Sequence, residues 1–325
     1  MNSSVNWRPT ATIQTLQKRA QINAQIREFF AQRKVLEVET PALAHASVTD
    51  INLHGFSTQF NSPLKPEPDN LFLQTSPEFA MKRLLCAGSG SIFQLCKSFR
   101  NEEAGKQHNP EFTMLEWYRV GFNLSQLIDE VDELLQKILK TEPLERLSYQ
   151  QAFLTYCDID PLACTLEELK RKASDLGFAN IADNESVKDV LLQLLCSQVV
   201  EPEIGRTRPV ALIDFPASQA ALARIKQQDP RVAERFEIYY KGLELANGYY
   251  ELRDVNEQLS RFEKDRQVRQ QNGLSNIALD KYFMAAMENG LPDCSGVALG
   301  VDRLVMLACG VQNIEKVMSF SIDNA

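Results

Sequence analysis

Residues 92–118 hold two runs of alternating side chains separated by a polar loop, and few folds accommodate what those runs carry. In residues 92–102, Phe93, Leu95, Lys97 and Phe99 fall on one side, and Cys96, Ser98, Arg100 and Glu102 on the other. A loop with Gly105 and His108-Asn109-Pro110 follows. Residues 112–118 alternate again, with Phe112, Met114, Glu116 and Tyr118 sharing a face. This pattern predicts a long hairpin with charged residues on an inner face.

The rest of the chain reads as elements around that hairpin. Ile22, Ile26, Phe29 and Phe30 predict an amphipathic helix over residues 16–33. Short strands are expected at 35–38, ended by Pro41, and at 71–75. Leu127, Val131, Leu134, Leu135 and Ile138 mark a helix over 124–140. Thr165 and Glu168 form a capping-box signature that opens a mainly helical insertion at about 162–208. Strands resume at 209–214, at 237–245 across a Lys241-Gly242 turn, and at 247–252. Two helices at about 257–271 and 279–289 precede the strand 297–300 and a last helix from Val301. No linker divides the chain, so 1–325 reads as a single α+β catalytic domain, an antiparallel sheet flanked by helices.

Composition narrows the function. The net charge of -8 argues against a stable nucleic-acid partner, which needs basic surface. Residues 1–10 have no apolar run of a signal peptide, and residues 296–310 are interrupted by Asp302 and Arg303. A cytoplasmic protein without a membrane partner is expected. Seven cysteines, with no C-x-x-C pair, read as reduced thiols, mostly core. The three histidines, His45, His54 and His108, make zinc a poor fit and favour a hard cation held by carboxylates.

Several residues suit joining a carboxylate to AMP, a reaction between two anions that needs fixed cations. Arg100 offers a planar fork for phosphate, although alone it fits a surface ion pair with Glu102 or Glu103. Phe112 can stack on a base or fill a core, and His108 can touch phosphate or hold a turn. Glu237 and Glu244 flank the Lys241-Gly242 turn and could share one Mg²⁺, or form a solvated acidic edge. Asn247, Tyr249 and Glu251 share a strand face that suits a cationic amine. Gly300-Val301-Asp302-Arg303 joins strand to helix, with Arg303 in the first turn, where phosphate is favoured. No P-loop motif is present.

Together these segments resemble the three motifs of class II aminoacyl-tRNA synthetases. The first is the helix and strand ending at Pro41. The second is Phe99-Arg100-Asn101-Glu102 with the loop to Phe112, and the third is Gly300-Val301-Asp302-Arg303. Thr75-Ser76-Pro77-Glu78, Met81-Lys82-Arg83, residues 108–114 and residues 242–252 are similar to the lysyl branch. The resemblance implies ATP and Mg²⁺, with Arg100 and Arg303 as the catalytic cations. ATP would be held by Arg100, Asn101, Glu102, His108, Asn109, Phe112, Glu244, Leu245, Gly300 and Arg303, adenine lying between Phe112 and Arg303. Glu237 and Glu244 match metal-binding carboxylates. Ser76, Pro77 and Glu78, Glu116 and Tyr118, Asn247, Tyr249 and Glu251, and Ala298 match the amino-acid pocket, Glu78 holding the backbone amine.

Departures from the lysyl pattern sharpen the expectation. The first-motif helix begins near residue 16, leaving no room for an anticodon-binding domain before it. Ser76 stands where the synthetases have Ala, and Ala298 where they have Gly. The chain therefore resembles the truncated paralogues of lysyl-tRNA synthetase that attach (R)-β-lysine to a lysine of translation elongation factor P. A homodimer built through the first motif is implied. The rival readings are lysine activation with tRNA or another small acceptor, and a non-catalytic regulatory module.

Overall fold

The computed structural model describes residues 7–325, so the reading of a leader-free start at 1–10 lies largely outside the described residues. The chain divides into two compact units, Met1–Phe122 with Arg253–Ala325, and Asn123–Leu252.

At the centre of the first unit is the expected hairpin. Strands Ile92–Phe99 and Glu111–Val120 pair antiparallel, from Ile92 opposite Tyr118 to Phe99 opposite Glu111. Cys294–Gly300 pairs antiparallel along the far side of Glu111–Val120, and Leu36–Glu37 runs parallel to the start of Ile92–Phe99. Helix Ile13–Gln32 covers one face. Its Phe30 ring stacks on Phe93 at 4.5 Å and meets Trp117 edge-on at 5.3 Å. Burying side chains of this size contributes roughly 2–3 kcal/mol each. The helix starts three residues before the expected residue 16 because Thr12 caps it, accepting from the Thr15 amide at 3.1 Å. Pleating puts Gln94, Glu116 and Ala298 on the opposite face from Phe93 and Trp117.

The first strand ends sooner than its alternation predicts. Arg100 N still donates to Pro110 O, but Asn101 N turns away to His54 O, and Glu102 takes a left-handed φ of 69°. Arg100 and Glu102 therefore do not share a strand face. The Asn101 side chain accepts from the Glu102 amide at 3.0 Å, a local bond that competes with the strand ladder. The strand expected at 71–75 is Asp69–Leu73, in a separate three-stranded sheet with Leu43–Ala44 and Ser57–Phe60.

The second unit repeats the pattern with other residues. Glu145–Ser148 runs parallel to Val210–Pro216, which pairs antiparallel with Val232–Tyr240, and that strand pairs with Leu243–Tyr250. Lys241 and Gly242, both at left-handed φ of 51° and 74°, form the two-residue turn between the last two. Helix Leu124–Leu139 carries the capping box of Asn123 and Gln126 and buries the five expected apolar residues. The helices Leu166–Ala173, Ala179–Ala182 and Lys188–Leu195 follow, with π-turns at Ser174–Phe178 and Cys196–Val200. Thr165 and Glu168 make the reciprocal cap the sequence implies. Helix Tyr149–Tyr156 fills this unit's core, Tyr149 stacking on Phe153 at 4.6 Å beside Phe215. The fold is α+β, with one short parallel pair in each unit's otherwise antiparallel set. Among the described residues no helix is long and apolar enough to cross a membrane.

Candidate active site

Glu116 sits in mid-strand, 3 % exposed, on the face not covered by the first helix. Two hydroxyls clasp it: Ser76 Oγ donates to Oε2 at 2.7 Å, and Tyr118 OH to Oε1 at 2.7 Å. Ser76 also accepts from the Glu78 amide at 3.0 Å, which seats it at the start of helix Glu78–Cys86 behind the N-cap Pro77. Burial, and then the neighbouring Glu78 charge, push the Glu116 carboxyl up to about 8; the two hydroxyls and Lys82 pull it back only partly. Glu78 is ion-paired at 2.6 Å with Lys82, whose side chain is 1 % exposed. Ala298 stands beside Glu116 on the next strand and keeps that position small. Ser76, Pro77 and Glu78 also line a cavity of about 650 Å³ with Arg83, Lys281 and Tyr282.

Near the loop end of the hairpin lie the cations of the first unit. The Arg100 guanidinium sits 5.1 Å from the centroid of Phe112, which lies opposite Ser98 in the hairpin. Its nearest ion pair is a loose one to Glu103 at 3.7 Å, and its buried Nε has no hydrogen-bond partner among the described residues. Arg303 reaches the loop between the strands, where its NH2 lies 2.7 Å from His108 Nε2. Desolvation, and then the Arg303 charge, lower the His108 imidazole, so Nε2 is the acceptor at neutral pH. Helix Val301–Cys309, which carries Arg303, is tied down by the residue just before that arginine. Asp302 accepts from Arg19 at 2.6 Å and from the Thr113 amide at 2.6 Å.

Three further expected contributors sit as follows. Glu102 is exposed on its turn. Asn109 gives its amide to the backbone, Nδ2 to Glu111 O at 2.6 Å and Oδ1 accepting from Ile322 N at 3.0 Å. Gly300 has an extended φ of -75°, and a Cβ there would meet Arg303 Cδ only at 3.7 Å, so the protein's own packing does not require glycine.

In the second unit, the hairpin of Val232–Tyr240 and Leu243–Tyr250 gathers its own polar face. Glu244 lies opposite Tyr239, Asn247 opposite Glu237, and Tyr249 opposite Arg235. Residues directly opposite share a face, so Glu244 and Asn247 point the same way despite their odd spacing. A bulge between Glu244 and Ala246, taken up by Leu245, makes this possible. Glu237 is ion-paired to Arg235 at 2.5 Å and accepts from Tyr239 OH. Burial is the largest single influence on Arg235 and would lower it, but the Glu237 charge, the neighbouring Tyr249 and Tyr239 and the hydrogen bond to Glu237 together offset it, and the guanidinium is raised. Glu251 follows the strand, 1 % exposed, with its carbonyl accepting from Arg224 Nε at 2.8 Å.

Glu237 and Glu244 are on one face, but no group of three or more His, Cys, Asp or Glu gathers among the described residues. Two carboxylates suit a Mg²⁺ that takes its other ligands from phosphate and water. Glu237 is already ion-paired to Arg235. The seven cysteines are free thiols, three buried and four half-buried, so the core accounts for fewer than expected. Lys82, Arg235, Tyr239 and Gln94 were not singled out for roles from the sequence. The period of two places Arg235 and Tyr239 beside Glu237; only the strand register places Gln94 beside Glu116.

Comparison with known proteins places the chain in a family. The family described as tRNA synthetases class II (D, K and N) matches residues 2–324. The chain is 57% identical over 323 residues to an elongation factor P–(R)-β-lysine ligase of Haemophilus ducreyi, covering 99% of this chain and 98% of that one. It is 55% identical over 325 residues to the proteins of the same name from Klebsiella pneumoniae and Salmonella typhi, with 100% of both chains covered in each case. A buried acid clasped by hydroxyls, a cation over an aromatic ring and a match along nearly the whole length lead to one conclusion: the chain belongs to the class II tRNA synthetase family of the D, K and N type.

Proposed function

We propose that this chain is an ATP-dependent, AMP-forming ligase that activates (R)-β-lysine and transfers it to a lysine side chain of translation elongation factor P. Buried Glu116 carries the reading. A carboxyl held between two hydroxyls, with its charge penalised by burial, is built to be neutralised by a cationic amine. The full-length identity to ligases of that name supports the acceptor.

In the first step a carboxylate oxygen of the amino acid attacks the α-phosphorus of ATP, and pyrophosphate leaves with the electrons of the broken P–O bond. Arg100 and Arg303 stabilise the charge on the phosphates, and Phe112 stacks on adenine. Asn101, Glu102, His108, Asn109, Leu245 and Gly300 line the nucleotide. Glu237 and Glu244 serve Mg²⁺, which when bound neutralises phosphate charge. Ser76, Pro77, Glu78, Glu116, Tyr118, Asn247, Tyr249, Glu251 and Ala298 serve the amino acid. In the second step a neutral lysine amine of the acceptor attacks the activated carbonyl, AMP leaves, and the amine's extra proton passes to solvent. Catalysis is positioning and electrostatics, without a covalent enzyme intermediate. Residues 1–325 act as one catalytic domain, as a homodimer, in the cytoplasm.

The test is the intact mass of elongation factor P after incubation with the enzyme, ATP and (R)-β-lysine, with α-lysine and tRNA in parallel. A mass gain of one β-lysyl group, with no charged tRNA, is expected. Charged tRNA with an unmodified factor would make the chain a minimal synthetase instead.

A further inference from the structure

Directly across the hairpin from Glu116 stands a polar side chain that the protein leaves unsatisfied. Gln94 pairs with Glu116 in the antiparallel register, so the two side chains leave the same face as neighbours. Gln94 is 2 % exposed. Its amide lies against the Cys96 thiol, yet no donor among the described residues reaches its Oε1. A buried carbonyl oxygen without a donor is unfavourable, and on a binding face its natural donor is a ligand. Both Glu116 oxygens already accept from Ser76 and Tyr118, while a primary ammonium brings three N–H donors to be placed. On the other side of Glu116, the Ala298 methyl neither fills the space nor competes as a donor.

We propose that Gln94 is a specificity residue whose Oε1 accepts a hydrogen bond from the substrate ammonium that Glu116 neutralises. The inference rests on the reading of Glu116 as the counter-ion of that amine. A neutral acceptor suits the position. Glu78 already raises the proton affinity of Glu116, and a second acid across the strand would raise it further. Gln94 adds a directional bond without adding charge, favouring a primary ammonium over a fully alkylated one of equal charge.

The test is amine-dependent pyrophosphate exchange by native enzyme, Gln94→Met and Gln94→Glu, with (R)-β-lysine as the amine. Methionine keeps the volume and removes the acceptor. A neutral–charged hydrogen bond of ordinary strength predicts a KM for the amine roughly ten- to a hundredfold higher, with kcat and the KM for ATP within about twofold. Glutamate keeps an acceptor at the same reach but raises the proton affinity of Glu116, so it is compared at pH 9, where its KM should stay within about threefold of native. A native KM in the Met variant, or an equal rise in both variants, overturns the proposal. So does failure of the Met variant to fold, because that would mean the amide is satisfied within the protein. Absence of amine-dependent exchange in the native enzyme would instead refute the functional reading, and this inference with it.

Discussion

Glu116 in the first unit and Glu237 in the second are both buried acids on sheet strands, and they keep different company. Glu237 has a cation built in, Arg235 two residues away on the same strand, with Tyr239 on its other oxygen. Among the described residues Glu116 accepts from two neutral donors, Ser76 and Tyr118, and its proton affinity rises to about 8. The cations follow the same division, since Arg235 pairs with Glu237 at 2.5 Å while Arg100 keeps a loose pair to Glu103 at 3.7 Å; the Nε of each has no hydrogen-bond partner among the described residues. An acid and a base that satisfy one another make structure; held apart, each is available to a ligand.

The largest expected effect tests the available cation. Arg100→Ala should lower pyrophosphate exchange by roughly three orders of magnitude while the thermal unfolding curve stays in place. Retained exchange would remove Arg100 from the phosphates and break the comparison on its first-unit side.

Next comes the satisfied pair. Glu237→Gln leaves the Arg235 guanidinium buried against a neutral amide and should lower stability in urea unfolding by about 3 kcal/mol. Glu116→Gln should leave stability unchanged or slightly raised, while weakening amine-dependent exchange. If the Glu116 variant were the less stable of the two, the roles assigned to the two acids would be reversed.

Titration sharpens the contrast. A carboxyl raised by burial binds its proton more tightly in the folded state than in the unfolded one. Its contribution to stability therefore falls as pH rises from the ordinary carboxylate range through about 8. Amine binding needs the ionised form, so the KM for the amine should fall by up to about tenfold per pH unit between pH 6 and 8, then level off. The Glu116→Gln variant should lack that slope; if it keeps the slope, another group is the counter-ion.

The smallest effect concerns how the second unit's face is built. Gly242 holds a φ of 74° in the hairpin turn, and Gly242→Ala should cost about 1 kcal/mol in unfolding free energy without changing exchange kinetics at permissive temperature. A kinetic change would mean that the turn, and not the bulge alone, sets the Glu244 and Asn247 positions.

Much of this was legible beforehand wherever the signal was local. Thr165 with Glu168, the Lys241-Gly242 turn and the alternation through 112–118 each rest on neighbours within four residues. Errors came where a local competitor or a distant partner intervened. Glu102 left the strand face expected for it because Asn101 bonds its amide, and Asn109 makes bonds with Glu111 and Ile322 that no local pattern announces.

The sequence by itself determined most of the longer helices, the two hairpins and the order of the three motifs, because side-chain period and capping act over a turn or a strand. Tertiary structure alone decided which charges are spent. Ser76 reaches Glu116 across 40 positions of chain, Asp302 accepts from the Thr113 amide across 189, and one extra residue at Leu245 turns Glu244 and Asn247 to the same face. Register and long-range contact depend on how strands meet, and no local pattern encodes that meeting.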